Sequence, residues 1–225
     1  MNSAIFITGT DTDVGKTVIT ACLAYTLKRI GKKIAVYKPV QCGNLLKGDI
    51  ASSDLAFVRK LSQINKNYLI NDYSFSFSAS PHLSAECDKD FVSVKKIKGH
   101  IKELLTTKNY DLILIEGAGG LIVPLTRAYT QLELIKDTKI PVIVVARAGL
   151  GTINHTSLTL RALRDSKCKV IGVILNFYKG GLIEDDNIKV IQSLNNVRVI
   201  GVVPFSKNLK KLAMGFGRYV RVNEI

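Results

Sequence analysis

Residues 9–17 read GTDTDVGKT and end as a phosphate-binding loop does, with Gly15, Lys16 and Thr17 in succession. The usual pattern, Gly-x-x-x-x-Gly-Lys-Ser/Thr, requires its first glycine at position 10, which is a threonine in this chain. The available glycine, Gly9, lies one residue earlier. The stretch is therefore either an unusual subtype of nucleotide-binding loop or a chance turn in front of a helix.

The segments on either side of the loop favour a nucleotide site. Residues 4–8, AIFIT, form a short apolar run that is typical of a buried strand. Downstream, apolar residues recur at roughly helical spacing until Gly31, which stands where a C-terminal cap glycine would. A strand, a loop and a helix in this order direct backbone N–H groups and the positive helix end at an anion. We expect Lys16 to reach the terminal phosphates and the Thr17 hydroxyl to bind a phosphate-bound magnesium ion.

Composition indicates one globular domain over residues 1–225. Hydrophobic residues make up 47% of the chain and charged residues 22%, which is a globular balance. No apolar run approaches the roughly 18–20 residues of a membrane helix, and the start, MNSAIFITG, does not resemble a signal peptide. The four cysteines are far apart, which indicates neither a zinc cluster nor a disulfide framework. We therefore expect a reduced, cytoplasmic enzyme without a membrane partner.

The net charge of +14 raises the alternative of a nucleic-acid-binding protein. However, the lysines are scattered along predicted helix faces, and aromatic residues do not interleave with them as stacking platforms would. The densest basic stretches, 94–102 and 207–211, read as solvated faces. We therefore expect no nucleic-acid partner.

Apolar runs alternate with helical patterns along the rest of the chain. Near-continuous Val, Ile and Leu runs are typical of strands covered on both faces, hence of a parallel sheet. The predicted strands are 4–8, 32–39, 111–116, 141–146, 169–176 and 197–204, and the later helices lie near 52–62, 92–106, 129–138, 154–166 and 184–195. The fold class is thus α/β, a doubly wound and mainly parallel sheet with helices on both faces. Residues 63–90 lack a clear pattern, and the sequence leaves two structures open for them, an active-site loop or a loosely ordered excursion of the chain.

Candidate functional residues follow the predicted strands, where ligands bind in such folds. Glu116 ends the third strand and occupies the place of a second acidic magnesium ligand, although an exposed glutamate before a glycine turn is the alternative. Lys38 ends the second strand and either faces phosphates and an anionic substrate or lies on the surface. Asp54 opens a predicted helix, so metal binding and N-capping are equally open for it.

Taken together, the motifs resemble one family, the dethiobiotin synthetases. These motifs are, in order, GTDTDVGKT, YKPVQCG, SSD, SPH, EGAGGLIVPL, ARAGLGTINHT and a strand that ends in VILN. The resemblance extends from residue 3 to about residue 206. In that family the first loop has its own version, with five residues between its two glycines, as between Gly9 and Gly15 here. The resemblance therefore favours the subtype reading of the loop, on a P-loop NTPase-like fold.

The resemblance implies a reaction and its participants. Dethiobiotin synthetases take 7,8-diaminopelargonate, CO2 and ATP with Mg²⁺ and form dethiobiotin, ADP and phosphate. An amine captures CO2 as a carbamate, ATP phosphorylates the carbamate, and the second amine displaces phosphate from the carbamic–phosphoric anhydride. Such a site must hold several anions close together, so cationic groups there serve electrostatic stabilisation.

The resemblance also assigns roles to positions of this chain. It implies that Lys16 stabilises the transferring phosphoryl group, that Lys38 stabilises the carbamate, and that Thr12 acts beside them. It implies magnesium ligation by Thr17, Asp54 and Glu116. It implies ATP contacts by Asp13, Val14, Gly15, Lys16, Thr17, Val18, Asp54, Glu116, Gly117, Ala118, Gly119, Asn176, Phe177, Pro204, Phe205 and Ser206. It implies substrate contacts by Lys38, Cys42, Gly151, Thr152, Ile153 and Asn154.

The stretch 149–160, GLGTINHTSLTL, predicts a second anion site. Thr152 or Asn154 is suited to cap a helix whose free N–H groups bind a carboxylate. In the family this loop reaches the substrate carboxylate of the neighbouring subunit, which implies a homodimer with shared sites. The alternative is an ordinary capped helix with a buried His155.

Two departures from the family pattern and two rival families remain to be weighed. Cys42 stands where serine is common, and a thiol is a weaker hydrogen-bond donor, so substrate affinity is open. Phe177 stands where a polar residue is common, so selectivity for ATP over CTP or GTP is open. Cobyrinic-acid-type synthases would bring a glutaminase domain for which 225 residues leave no room. ParA/MinD-like ATPases are the alternative from another class, but their loop carries an early lysine that residues 10–12 lack.

Overall fold

The computed structural model describes residues 3–43, 53–107 and 109–225. Seven strands form one sheet: Ser3–Gly9 (β1), Ile34–Gln41 (β2), Leu69–Ser74 (β3), Leu112–Gly120 (β4), Val142–Arg147 (β7), Val170–Tyr178 (β8) and Val199–Pro204 (β9). Pro124–Thr126 (β5) and Tyr129–Thr130 (β6) form a separate antiparallel pair. The order in the large sheet is β3-β2-β4-β1-β7-β8-β9, and every neighbouring pair is parallel.

Helices cover both faces of this sheet. They are Lys16–Arg29 (α1), Asp54–Ser62 (α2), Pro81–Cys87 (α3), Val94–Thr106 (α4), Gln131–Thr138 (α5), Thr152–Asp165 (α6), Leu182–Asn195 (α7) and Leu209–Gly215 (α8). One apolar core packs α1, α2 and α8 against the sheet, and a second core packs the remaining helices against the other face. The predicted α/β class, with a doubly wound parallel sheet, is confirmed.

The central strands alternate their side chains between the two cores. In β1, Phe6 belongs to the core of α3 to α7, whereas Ile5 and Ile7 belong to the core of α1, α2 and α8. This follows from the two-residue period of a strand, and it explains why both phases of the sequence are apolar. Because β1 lies between β4 and β7, the loop that follows β1 emerges at the middle of the carboxyl edge of the sheet.

All six predicted strands are present, but the second was predicted to stop at Pro39 and instead continues to Gln41. The physical reason lies in its pairing. Pairing of β2 with β4 ends at Tyr37, and pairing with β3 uses Lys38 and then Val40, so Pro39 interrupts neither ladder. A proline without an N–H is tolerated at such a position.

Residues 63–90, which carried no clear pattern, contain regular structure. Strand β3 forms the edge of the sheet and is only partly buried, and helix α3 has seven residues. The sequence of β3, LINDYS, carries two residue types that are depleted in strands, Asn71 and Asp72. An edge strand tolerates them because one of its sides faces solvent, and neither element is long enough to produce a periodic signal.

All four cysteines lie among the described residues, and none of them is in a disulfide. Within the described ranges, every helix is too short or too polar to cross a lipid bilayer.

Candidate active site

The loop between β1 and α1 folds tightly around the side chain of Lys16. The Lys16 Nζ donates a hydrogen bond to the Asp11 carbonyl oxygen at 3.0 Å. A Cβ on Gly9 would lie 2.9 Å from that nitrogen and 2.8 Å from the Asp11 oxygen. The glycine one residue earlier than usual is therefore required where the loop closes on its own lysine.

Gly15 is required for a second reason. It is the N-cap of α1 with φ of 90°, a left-handed conformation that favours glycine. A Cβ there would lie 2.1 Å from the Asn176 Nδ2. That amide donates a hydrogen bond to the Val14 carbonyl oxygen at 3.0 Å, so Asn176 at the end of β8 supports the loop. Asp13 also has a positive φ, of 55°, and the loop is thus curved on both sides of Val14.

Burial lowers the pKa of the Lys16 amine. The side chain is buried, and this burial lowers the pKa of its amine to about 8, although Glu116 opposes the shift and Lys38 reinforces it. Among the residues that the structure describes, no carboxylate is hydrogen-bonded to this ammonium. The loop therefore holds a cation that a phosphate would stabilise.

Lys38, Asp54, Glu116 and Thr17 form one polar cluster beside the loop. The Lys38 Nζ lies 2.8 Å from the Glu116 Oε1 and also forms an ion pair with the Asp54 carboxylate. The Thr17 hydroxyl donates to the same Glu116 oxygen at 2.8 Å. Burial by itself lowers the pKa of Lys38, but the carboxylates of Glu116 and Asp54 outweigh it and raise the pKa. Lys38 is therefore a buried, charged ammonium, and the surface alternative for it and for Glu116 is wrong.

This cluster has the donor set of a magnesium site. The Glu116 Oε2 is buried and has no hydrogen-bond partner within the described part of the chain. An unpartnered carboxylate oxygen is costly unless something binds it. Mg²⁺ prefers oxygen ligands and is often held by one or two carboxylates together with substrate phosphates and water. Thr17, Asp54 and Glu116 supply such ligands, so the residues fit the ion.

The structure answers the open question about Asp54 and helix capping. Ser53 is the N-cap of α2, and its side chain accepts a hydrogen bond from the Ala56 N–H. Asp54 is the first residue of the helix, and its carboxylate turns toward Lys38 instead of capping. The capping alternative for Asp54 is therefore wrong.

A cavity of about 470 Å³ opens beside the cluster. Its lining includes predicted residues, namely Thr12, Asp13, Lys38, Cys42, Asp54, Ala118 and Gly119. Gly117 lies deeper, where a Cβ would lie 2.1 Å from the Gln131 Oε1. Burial raises the pKa of the Cys42 thiol, so this group faces the cavity as a neutral, weak donor.

The cavity is also lined by residues that had no predicted role, which are Gln41, Ser78, Ala79, Ser80, Pro81 and Val123. The sequence motifs YKPVQCG, EGAGGLIVPL and SPH contain Gln41, Val123 and residues 80–81, whereas Ser78 and Ala79 had no sequence signal. Pro81 is the first residue of α3, a position that proline favours. Residues 78–81 belong to the segment without a clear sequence pattern, and they form one wall of the cavity.

Aromatic rings lie beside the loop on the side of β8 and β9. The Phe177 ring is 6.4 Å from the Phe205 ring, centre to centre, and the Lys179 ammonium lies 5.6 Å from the Phe205 ring centre. Phe177 has φ of 60°, which is rare outside glycine. Pro204 ends β9, and the Ser206 hydroxyl accepts from the Asn208 N–H. These residues form a partly exposed apolar surface next to the phosphate loop. Val18 is half-buried in the first turn of α1.

The predicted second anion loop lies apart from this cavity. None of residues 151–154 is among the residues that line it in the described chain. Gly151 is the N-cap of α6 and makes no side-chain cap, so the prediction that Thr152 or Asn154 caps the helix is wrong. The Thr152 hydroxyl pairs with the Thr156 hydroxyl instead, because it lies inside the first turn. His155 is exposed, which contradicts the alternative of a buried histidine.

Structural comparison shows which fold this is. The chain is similar to MinD in the MinC:MinD cell division complex of Aquifex aeolicus, with a TM-score of 0.61, 16% identity and coverage of 94% of this chain and 84% of the other. It is also similar to the septum site-determining protein MinD complexed with Mg-ADP from Pyrococcus horikoshii, with a TM-score of 0.59, 18% identity and coverage of 100% and 89%. At these identities the likeness shows a shared fold alone.

Sequence comparison is more specific. A family model described as an AAA domain matches residues 3–213. The ATP-dependent dethiobiotin synthetase BioD of Clostridium acetobutylicum is 38% identical over 213 residues, which cover 92% of this chain and 88% of the relative. The enzyme of the same name from Nitrosopumilus maritimus is 35% identical and covers 94% of this chain and 92% of the relative. The chain therefore belongs to the ATP-dependent dethiobiotin synthetase family, whose members are ligases that form C–N bonds.

Proposed function

We propose that this chain is a dethiobiotin synthetase that closes a ureido ring on 7,8-diaminopelargonate with CO2 and ATP. The observation that carries the proposal is the contact of Lys38 with both Asp54 and Glu116, directly beside the phosphate loop and at the wall of a cavity. The family membership supports the choice of substrate. The size of the cavity, about 470 Å³, is suited to a small molecule.

The proposed chemistry requires cations at two points, and the chain supplies them. Lys38 is buried and charged, so its ammonium is suited to stabilise a carbamate that forms at the cavity wall. Lys16 would exchange its hydrogen bond to the Asp11 carbonyl for the transferring phosphoryl group. Thr12 lines the same cavity as Lys38 and would orient the reacting groups. The Cys42 thiol and the neighbouring Gly43 turn would contact the diamine.

Thr17, Asp54 and Glu116 would hold a magnesium ion at the nucleotide. When bound, the ion neutralises phosphate charge and helps to align the transferred group. The Glu116 Oε2, which has no hydrogen-bond partner among the described residues, would bind the ion. The Thr17 hydroxyl donates to the other oxygen of the same carboxylate. The Asp54 carboxylate is the more accessible of the two, with a side-chain exposure of 33%. ADP or ATP would cover it from the loop side.

The nucleotide would extend from the loop toward β8 and β9. The loop N–H groups and the start of α1 favour phosphates, while Phe177, Pro204 and Phe205 offer an apolar surface to the base. Asn176 has a second role in this arrangement, because it binds the loop carbonyl of Val14 as well as lying near the base. Ser206 closes this end of the site.

We also propose a homodimer whose partner completes the substrate site through residues 151–154. Leu150, in the turn before α6, is 90% exposed, and Leu182, the first residue of α7, is 86% exposed. Ile122 and Leu158 border a groove next to the phosphate loop and are also exposed. Exposed apolar side chains that border a groove are typical of an interface. The N-terminus of α6 would then bind the substrate carboxylate of the other subunit, with the Gly151 N–H as the donor, since the Thr152 N–H already donates to the Gly149 carbonyl oxygen at 3.3 Å.

A direct assay tests the proposed function. Labelled bicarbonate, ATP and MgCl2 are supplied with 7,8-diaminopelargonate as acceptor, and acid-stable label is measured with ADP release. We expect acid-stable label only when all components are present. A Lys16→Ala or a Thr17→Val variant should keep its fold but release no ADP. ATP hydrolysis that is independent of the diamine and yields no labelled product would contradict the synthetase and favour a regulatory ATPase.

A further inference from the structure

Gln41 is a buried polar residue at the end of β2 that the mechanism above does not use. It is 8% exposed, and it lies three residues beyond Lys38 at the wall of the cavity. Its backbone is fixed in the sheet, because its carbonyl oxygen accepts a hydrogen bond from the Phe75 N–H at 2.9 Å. The side chain therefore projects from a rigid position.

The Gln41 amide joins two separate segments of the chain. Its Oε1 accepts a hydrogen bond from the backbone N–H of Asp54 at 3.2 Å, and its Nε2 donates to the Cys42 carbonyl oxygen at 2.9 Å. Both amide groups thus have partners, which is the expected state of a buried amide. The contact with Asp54 connects the end of β2 to the first turn of α2.

This contact supports the first turn of α2. The first N–H groups of a helix have no partner within the helix and must be satisfied from outside. Ser53 satisfies the N–H of Ala56, and Gln41 satisfies the N–H of Asp54. The first turn is therefore held by one local cap and by one residue of the sheet.

The position of the first turn sets the position of the Asp54 carboxylate. This carboxylate is paired with Lys38, whose ammonium also contacts Glu116 at 2.8 Å. A shift of the turn would move one proposed metal ligand relative to the other, which is fixed inside β4. Substitution of a residue that orients a metal ligand typically lowers metal affinity or activity by about 10- to 100-fold.

We propose that Gln41 is a positioning residue that holds Asp54 in place to bind a divalent cation at the nucleotide. The inference rests on the proposed function, since it assumes that Asp54 and Glu116 bind Mg²⁺. Gln41 itself acts only through the backbone of Asp54.

Calorimetric binding of ADP with and without Mg²⁺ tests this inference without turnover. The measured quantity is the gain in ADP affinity that Mg²⁺ brings. In Gln41→Met we expect metal-free ADP binding to stay as in the wild type and the Mg²⁺-dependent gain to fall about tenfold, the usual minimum for loss of a residue that orients a metal ligand. Gln41→Asn, which is shorter by one methylene, provides a milder polar variant and should change the gain in the same direction.

Two further variants separate positioning from general destabilisation. Asp54→Asn should reduce the gain more than Gln41→Met, and the double variant should match Asp54→Asn if Gln41 acts through Asp54. Asn195→Leu is the matched control, because Asn195 is a buried amide that bonds Ser157 and Ile191 at the far end of α7. It should lower the melting temperature and leave the Mg²⁺-dependent gain unchanged.

The outcomes distinguish the two levels of the argument. If Mg²⁺ raises the ADP affinity of the wild type and of Gln41→Met by the same factor, the positioning role is overturned and the proposed function stays intact. Equal losses with and without Mg²⁺, or additive losses in the double variant, would also overturn it. A wild-type protein whose ADP affinity ignores Mg²⁺ would overturn the metal site of the proposed function, and this inference with it.

Discussion

The Lys38 ammonium has two carboxylate neighbours, and its charge is inseparable from theirs. Lys38 and Glu116 are both almost fully buried and face each other at 2.8 Å. A buried pair is weak support for stability by itself, but removal of one member leaves an uncompensated charge. Within the described ranges, Glu116 would then keep the Thr17 hydroxyl as its one hydrogen-bond partner. Stability and chemistry can therefore be separated by substitution of one or both residues.

We predict that Lys38→Met destabilises the fold by about 3–5 kcal/mol, because it strands the Glu116 charge in the interior. Addition of Glu116→Gln should restore most of that free energy of unfolding, since it removes the stranded charge. Urea denaturation measures both values. Neither variant should form labelled product. A double variant as unstable as Lys38→Met would show that the pair does not account for the loss.

The lowered pKa of Lys16 predicts that nucleotide binding depends on pH. Its pKa is lowered to about 8 by burial, so the free enzyme loses this charge above that pH while the unfolded chain retains it. The folded state therefore gains stability from this group as pH rises from about 8 toward the ordinary lysine value near 10.4. Nucleotide binding shows the opposite trend, because phosphates require the ammonium.

We predict that metal-free ADP binding takes up close to one proton at about pH 9, between the lowered pKa and the ordinary lysine value. Calorimetry in two buffers with different ionisation enthalpies measures the uptake. Lys16→Ala should bind more weakly and take up no proton at this group. Uptake that is equal in the variant and the wild type would assign the titration to another residue.

Helix α1 is bounded by two glycines with left-handed backbones. Gly15 precedes it with φ of 90°, and Gly31 follows it with φ of 85°. The two positions differ in their surroundings, since no atom of the described part of the chain lies within 4 Å of a Cβ on Gly31. On Gly15 such a Cβ would collide with the Asn176 amide. The same helix thus offers a matched pair for separating backbone strain from steric collision.

We predict that Gly31→Ala costs about 1–2 kcal/mol of stability, the strain of a left-handed L-residue, and leaves turnover unchanged. Gly15→Ala should incur the same strain and also lose ADP binding, because the Asn176 side chain must leave the Val14 carbonyl. Thermal unfolding and ADP titration of both variants provide the comparison. Normal ADP binding by Gly15→Ala would remove the steric argument for that glycine.

On the scale of the whole molecule, the two faces of the sheet expose different surfaces. Helix α8 packs on α1 and exposes Met214, whereas α6 exposes Leu158 beside the groove that borders the phosphate loop. If the groove is a subunit interface, a charge at Leu158 disrupts association because it would be buried without a partner. A charge at Met214 would stay in solvent.

We predict that the wild type sediments as a dimer, that Leu158→Glu sediments as a monomer with little synthetase activity, and that Met214→Glu remains an active dimer. Sedimentation velocity at assay concentration, paired with the labelled bicarbonate assay, checks all three proteins. Full activity in a monomeric species would contradict the shared substrate site while leaving the nucleotide site untouched.

The sequence by itself determined six of the seven strands of the large sheet, their parallel class and the identity of the phosphate loop. These are local properties, because apolar runs, glycines at fixed offsets and a Gly-Lys-Thr sequence act over a few residues. It also identified Lys38 and Glu116 as strand-end candidates. It missed β3 and α3, since an edge strand with Asn71 and Asp72 and a helix of seven residues carry little periodic signal.

Only the tertiary structure decided which of these residues meet. Lys38 and Glu116 are 78 positions apart, and Asn176 and Val14 are 162 apart, yet each pair is in hydrogen-bond contact. Strand order brings them together, and strand order follows from packing between distant segments rather than from any local pattern. The same holds for Gln41, whose contact with Asp54 exists because the fold brings the end of β2 beside the first turn of α2. A polar side chain at a strand end acquires its role from the neighbour that the sheet places beside it.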